Sequence, residues 1–465
     1  MRKTLSKSQM VRYCLSDIAK GLFNGMIGNY LLYFFQPTVK SGLPNLLPQN
    51  KFLGFITIMA LLTGIGKIID AITDPLVASL SDRCTHKDGR RMPFMKYAAI
   101  PYAVSVLMIF MAPFKQGSVA NAIWVGFFLI VYYTAYTFFF IPRNALVPEV
   151  IPDAKDRVGY YGISTAFFMG SSSFMYAATL FVNLIKNGFN VSVLAAWRIV
   201  FTAFAAIGLV CVMLGATAFK EKDYVDENVK PKQSMIKSAI AIFKNKTFLT
   251  FFAGDLFSYI SMAFFQTAML YYITMLLNVP ESQSFLVMLS AIGVALCMFP
   301  MIVKFSKKYG KKTMLVIASI VFTIVFAFIF FGDKLAALVP GNELYLGLFM
   351  GVVVAFPFAA INILPQSVMS DIIQKDSIEN GVNREGIFSA SKTFIEKVAY
   401  SLAMVVVSSV LAIGAPVGES VGMLGVKLTG IFAGLFSLVS LIFFTFYNEK
   451  SVTRFIDEHR KEGKE

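Results

Sequence analysis

The sequence predicts an all-α polytopic membrane protein, with twelve transmembrane helices in two pseudo-symmetric six-helix bundles. Three observations predict it. The 465-residue chain is 57% hydrophobic and only 15% charged, with a mean hydropathy of +0.67. A water-soluble protein of this length needs more charge to cover its surface. Apolar runs of about 20 residues, the length that crosses ~30 Å of hydrocarbon, recur along the whole chain. They fall at 14–36, 52–80, 93–113, 120–142, 158–186, 196–219, 247–277, 282–304, 312–332, 342–365, 386–413 and 424–447. Finally, most of the 42 Lys and Arg residues lie in alternate connections. The positive-inside rule places those connections and both termini in the cytoplasm.

The net charge of +15 is thus a matter of topology and calls for no nucleic-acid partner. Cys14, Cys84, Cys211 and Cys297 are scattered and read as small apolar residues rather than a metal site or disulfide framework. Residues 1–219 form the expected first bundle, 220–246 a charged cytoplasmic linker, 247–447 the second bundle and 448–465 a cytoplasmic tail.

The first helix begins basic and then apolar, like a signal peptide. It carries Asp17 and Lys20 and lacks a small-residue cleavage site, so it is read as retained. Lys20, Asn24 and Gly28 recur every four residues and share a face. Lys20 and Asn24 are candidates to hydrogen-bond a polar solute; alternatively, Lys20 pairs locally with Asp17. Gly21 and Gly25 form a small-xxx-small pair that permits close helix approach.

The second helix holds Lys67-Ile68-Ile69-Asp70-Ala71-Ile72-Thr73-Asp74-Pro75. Lys67, Asp70 and Asp74 project from one face. A charge at the bilayer centre costs ~2.5–3.5 kcal/mol even on the lenient insertion scale. Two acids and a base on one apolar helix therefore point to a wet or internal site. Pro75 crowds the carbonyl of Ala71 and gives it no N–H, freeing a backbone oxygen beside both acids. A structural reading stays open, in which Lys67 pairs with Asp70 and Asp74 steadies a kink.

The next connection contains Asp82, Arg83, Gly89, Arg90, Arg91 and Pro93. Gly89 suits a turn and Pro93 a helix start. The bases could pair with acids at neighbouring helix ends and act as a gate, or serve as topogenic charge alone. The fourth run ends in Phe140-Ile141-Pro142-Arg143-Asn144, with Arg143 counted among the cytoplasmic bases. The fifth run is rich in small and hydroxylated residues from Gly162 to Ser173, suiting close packing or a cavity wall.

The second half repeats the first weakly. Gly310-Lys311-Lys312 answers Gly89-Arg90-Arg91, and Leu364-Pro365, leading to Asp371, answers Ile141-Pro142, leading to Glu149. The two landmarks are displaced by nearly the same interval, as in a duplicated unit. Parallel six-helix repeats around a central site are one transporter architecture. Asp255 reads as a lone acid, either a cavity residue or, preferred, an interface residue near the start of its helix. Lys392 and Glu396 are four apart and can pair, leaving Lys397 pointing elsewhere. The tail repeats Val452, Phe455 and Ile456 at helical spacing, which suits the inner membrane interface.

The second-helix signature Asp70-Ala71-Ile72-Thr73-Asp74-Pro75, the loop Gly89-Arg90-Arg91-Met92-Pro93-Phe94 and the stretch Ile141-Pro142 through Pro148 resemble the glycoside–pentoside–hexuronide:cation symporters. This is the melibiose-permease-like branch of the major facilitator superfamily. The resemblance extends over essentially the whole chain. It implies sugar uptake driven by Na+, H+ or Li+, with Asp70 and Asp74 at the cation site and no further cofactor. Lys67 and Lys20 match basic positions of that family, and Lys397 matches a lysine near the substrate. Asn144 and Thr165 fall where melibiose-type members carry a tryptophan and an arginine, so they are the implied substrate-side positions. Gly21 and Phe140 replace two acids, which removes most of the galactoside-recognising set.

The expected function is cation-coupled symport of a sugar, glycoside or uronide into the cell by alternating access. Alternatives are a major facilitator carrier for an amphiphile, nucleoside or drug, and a sugar exchanger. The expected setting is the plasma membrane, with the bilayer and a sugar-like solute as partners and a monomer as working unit. A polytopic enzyme is disfavoured, because His86 and His459 are the only histidines, both outside the membrane core, and no nucleophile–base cluster appears.

Overall fold

The computed structural model describes residues 4–49, 56–151, 154–224, 246–380, 385–416 and 419–462. Among them the chain is almost entirely helical. Contacts divide it into two units: Met1–Lys230 with Ala412–Gly422, and Pro231–Leu411 with Met423–Glu465.

In unit 1, α1 covers 7–35 as Lys7–Gly25, a π-turn Met26–Tyr30 and Leu31–Phe35. There follow α2 (Ile58–Arg83), α3 (Met92–Phe110), α4 (Val119–Val150), α5 (154–189, with a 3-10 turn at Met175–Ala177) and α6 (Val193–Ala216). Unit 2 holds α7 (Lys246–Tyr271, extended by a π-turn Tyr272–Leu276), α8 (Glu281–Tyr309), α9 (Lys311–Phe330), α10 (Glu343–Asn380), α11 (Glu385–Leu411), α12 (Met423–Phe446) and α13 (Glu449–Glu462).

Local chemistry sets many of these limits. The Ser6 hydroxyl accepts the Gln9 N–H and the Gln9 side chain returns to the Ser6 N–H, a capping box that starts α1 earlier than its apolar run. Thr57 caps α2 and Ser192 caps α6 in the same single-sided way. Both α4 and α10 run past Pro142 and Pro365, where their apolar runs end, to Val150 and Asn380. Tertiary packing holds these helices together where local propensity would break them.

Among the described residues nine helices are long and apolar enough to cross a membrane. The charged residues singled out within the membrane runs of the sequence lie largely on α1, α2 and α11. These carry Asp17 and Lys20, Lys67, Asp70 and Asp74, and Lys392, Glu396 and Lys397. Charge held within apolar helices marks where polar chemistry resides.

The duplication is visible in the packing. In unit 1, α1 packs on α5 and α6, α2 on α4, and α3 on α4 and α6. In unit 2, α7 packs on α11 and α12, α8 on α10, and α9 on α10 and α12. Each pair is the former shifted by six helices. Close approach of α1 to α5 depends on the expected glycines. A Cβ at Gly21 would lie 2.0 Å from Ser171 Oγ and 2.5 Å from Phe168 O, and one at Gly25 would lie 2.6 Å from Met175 Cγ.

The two basic loops fold alike. Gly89 and Gly310 have φ of 113° and 92°, values open to glycine. Glu221 accepts the N–H groups of Arg91 and Met92 at 2.9 and 2.8 Å, capping α3. Glu449 accepts those of Lys311 and Lys312 at 2.7 and 2.9 Å, capping α9. Each loop also pairs with the end of its unit's long helix. Arg90 and Arg91 reach Glu149 at 3.2 and 2.7 Å, and Lys311 reaches Asp371 at 2.6 Å. These latches lie inside each unit. The tail helix α13 packs along α10 and buries Val452 and Ile456.

Candidate functional site

The α2 face forms as its spacing requires. Asp70 is buried at 1% exposure and Asp74 is half-buried. Lys67 Nζ lies 4.0 Å from Asp70 Oδ2 and 4.3 Å from the centre of the Tyr133 ring. Gly66 is what lets Tyr133 approach, since a Cβ there would lie 2.8 Å from the ring. Pro75 is exposed within an unbroken α2.

The partner from α4 is Thr137, fully buried. Its Oγ1 lies 2.9 Å from Asp70 Oδ1 and 3.0 Å from Asp74 Oδ1. Sequence reasoning missed it. The available signal was its position three residues before Phe140, on the same face of α4 as the acid that the resemblance leads one to expect. The geometry has a chemical consequence. A hydroxyl carries one proton and can donate to only one carboxylate at a time. The second close contact is favourable when an acid is protonated or when a cation shares the oxygens. Thr137 therefore places a third oxygen beside the two carboxylates.

A second polar cluster joins α1, α4 and α5. Arg143 and Asp17 form an ion pair with both side chains at 3% exposure. Ser164 donates to the same Asp17 oxygen at 2.6 Å, and Tyr13 donates to the Arg143 carbonyl at 3.0 Å. The guanidinium lies 5.0 Å from the Tyr13 ring centre and 5.7 Å from that of Phe140. Two readings are corrected here. Asp17 pairs with Arg143 across the bundle rather than locally with Lys20. Arg143 is a buried internal cation rather than a topogenic surface charge. Short sequence spacing could show neither, because the partners are more than a hundred residues apart.

Lys20 is half-buried, 5.4 and 5.2 Å from the ring centres of Phe140 and Phe168. Asn24 accepts a hydrogen bond from Tyr132 at 3.2 Å. Asn144 and Thr165 are exposed on unit 1. Arg83 is exposed, whereas the Asp82 side chain lies outside the described residues. In unit 2, Lys392 meets Glu396 at 3.1 Å as expected, and also Asp255 at 3.3 Å. Asp255 is thus a buried, paired acid rather than a lone interface residue. Lys397 is half-buried on α11. Outside the membrane segments, a hydrogen bond from Lys96 holds the Asp88 carboxyl below the usual range. Partial burial raises Asp333, but the Lys427 ammonium outweighs it and holds that carboxyl low as well.

A duplicated helical fold with buried charge on a few helices defines a polytopic membrane carrier. A family model described as "MFS/sugar transport protein" matches residues 12–449. The chain belongs to that family, a group of major facilitator transporters rather than enzymes. It is 23% identical to a putative glycoside/cation symporter of Escherichia coli (strain K12), over 87% of each chain. It is 22% identical to an isoprimeverose transporter of Lactiplantibacillus pentosus, over 88% of this chain and 80% of the relative. Among solved structures it resembles a D-xylose-proton symporter, with a TM-score of 0.64 and 13% identity over 96% of this chain and 98% of the other. It also resembles the nucleoside transporter NupG, with a TM-score of 0.65 and 14% identity over 95% of this chain and all of the other. These likenesses establish the major facilitator fold.

Proposed function

We propose that this carrier couples the inward movement of Na+ or H+ to uptake of a sugar, glycoside or uronide across the plasma membrane. Both termini lie in the cytoplasm and the working unit is a monomer. The observation that carries the reading is the Thr137 hydroxyl held between Asp70 and Asp74, with Lys67 beside them. Two carboxylates, a hydroxyl and the Ala71 carbonyl freed by Pro75 are oxygen donors of the kind hard cations take. A proton shared between the acids satisfies the same geometry. Cation occupancy then favours the solute-binding state, and uptake proceeds by alternating access. Lys20, Asn24, Asn144, Thr165 and Lys397 are the proposed solute-side residues. The named activities of the glycoside/cation symporter and isoprimeverose relatives support the solute class.

The test is saturable sugar uptake into proteoliposomes under an imposed Na+ or H+ gradient, across a panel of mono- and disaccharides, glycosides and uronic acids. Accumulation that collapses with the gradient supports the reading. A carrier that moves nucleosides or amphiphiles and no sugar refutes it.

A further inference from the structure

Resting on the sugar-carrier reading, we infer that Arg143 and Tyr160 form a recognition point for a neutral, hydroxyl-bearing solute, with Asp17 and Ser164 positioning it.

The argument starts from two donors. Arg143 is 3% exposed, and its Nε–H is buried without a hydrogen-bond acceptor. Tyr160 is 1% exposed, and its hydroxyl is likewise buried without a partner. The two side chains are neighbours, with the guanidinium carbon 5.8 Å from the Tyr160 ring centre. A buried donor left unsatisfied costs ~1–3 kcal/mol. Two such donors on neighbouring side chains are a persistent penalty unless some state of the protein gives them an acceptor.

Stability alone does not explain the cluster. A fully buried ion pair is often matched or bettered by apolar residues of similar volume. Here α1 and α4 keep the pair inside an aromatic shell of Tyr13, Phe140 and Tyr160, where such a replacement would pack well.

Charge decides what the acceptor is. The guanidinium is already neutralised by Asp17, and Ser164 fixes the paired oxygen. A solute carboxylate would bring a second negative charge to a balanced pair in a low-dielectric site. A sugar hydroxyl or ring oxygen accepts from the Nε–H and the Tyr160 hydroxyl without adding charge. Pro142 directly precedes Arg143 and removes one backbone bond of α4. That weakens the helix where it would have to bend for a solute to reach the donors.

The experiment is calorimetric binding to the purified full chain, with matched probes: a hexoside and its hexuronide, each in gluco and galacto form. All are measured with Na+ and in acid buffer. The wild type is expected to prefer a hexoside to its uronide. Tyr160→Phe, which removes a single oxygen, is expected to weaken hexoside binding about tenfold while narrowing the preference. The double variant Asp17→Leu/Arg143→Leu is expected to fold and to lose both affinity and preference. Uronide preference in the wild type overturns the inference. So does wild-type affinity and preference in Tyr160→Phe, whatever the double variant does. A wild type that binds none of the four probes and transports no sugar overturns the proposed function, and this inference with it.

Discussion

Thr137→Val replaces the α4 hydroxyl with a methyl group of nearly the same shape, at a fully buried position. The helix and its packing persist; what goes is the oxygen 2.9 and 3.0 Å from the two acids. A hydrogen bond to an ionised group contributes ~1.5–3 kcal/mol. At ~1.4 kcal/mol per tenfold, losing it weakens cation binding by about 10- to 100-fold. The assay is sugar uptake by proteoliposomes as a function of Na+ concentration and of pH, with sugar affinity at saturating cation as the control. Half-saturation for the coupling ion should rise by that factor while maximal uptake recovers at high cation. Thr137→Ser, which restores the hydroxyl, should recover most of the loss. Unchanged cation dependence in folded Thr137→Val would remove Thr137, and with it the bridged pair, from the coupling site.

Other outcomes follow from the same structure. Gly21→Asp, which restores an acid where melibiose-type relatives carry one, should not confer galactoside uptake; its Cβ would lie 2.0 Å from Ser171 Oγ, so lower thermal stability in detergent is expected. Gly89→Ala should destabilise by at least ~1 kcal/mol, read as a drop in Tm, because φ is 113° and the Cβ would meet Glu221 at 2.3 Å. Lys427→Met should lower Tm at neutral pH. The Asp333 carboxyl has a lowered folded pKa, so its stabilisation is present above the ordinary carboxylate value of ~3.9 and is lost as pH falls through the lowered one. The Tm difference between wild type and variant should therefore close in acid and nowhere above it.

The α2 cluster was legible because its residues are three and four apart on one helix, so helical geometry alone puts them on one face. The duplicated basic loops were legible for a similar reason: Gly89 and Gly310 mark turns that need positive φ, and the bases after them recur in register. The Asp17–Arg143 pair was not legible. Each residue had a nearer explanation, Lys20 for one and the positive-inside rule for the other, and only packing of α1 against α4 and α5 could overrule it. Asp255 misled in the same way, since its partner Lys392 is supplied by α11. Thr137 gave almost no signal, because an isolated threonine in an apolar run is ordinary until two carboxylates are seen beside it.

The sequence by itself determined the membrane class, the duplication and the α2 acids, because hydropathy, charge bias and helical spacing act over short distances along the chain. The tertiary structure alone decided which charge meets which. In an apolar bundle a buried ion takes whatever counter-charge the neighbouring helix brings within reach, and that neighbour is chosen by packing, not by proximity in sequence. The helix 4 acid is absent, yet α4 still contributes to the α2 site, through a hydroxyl.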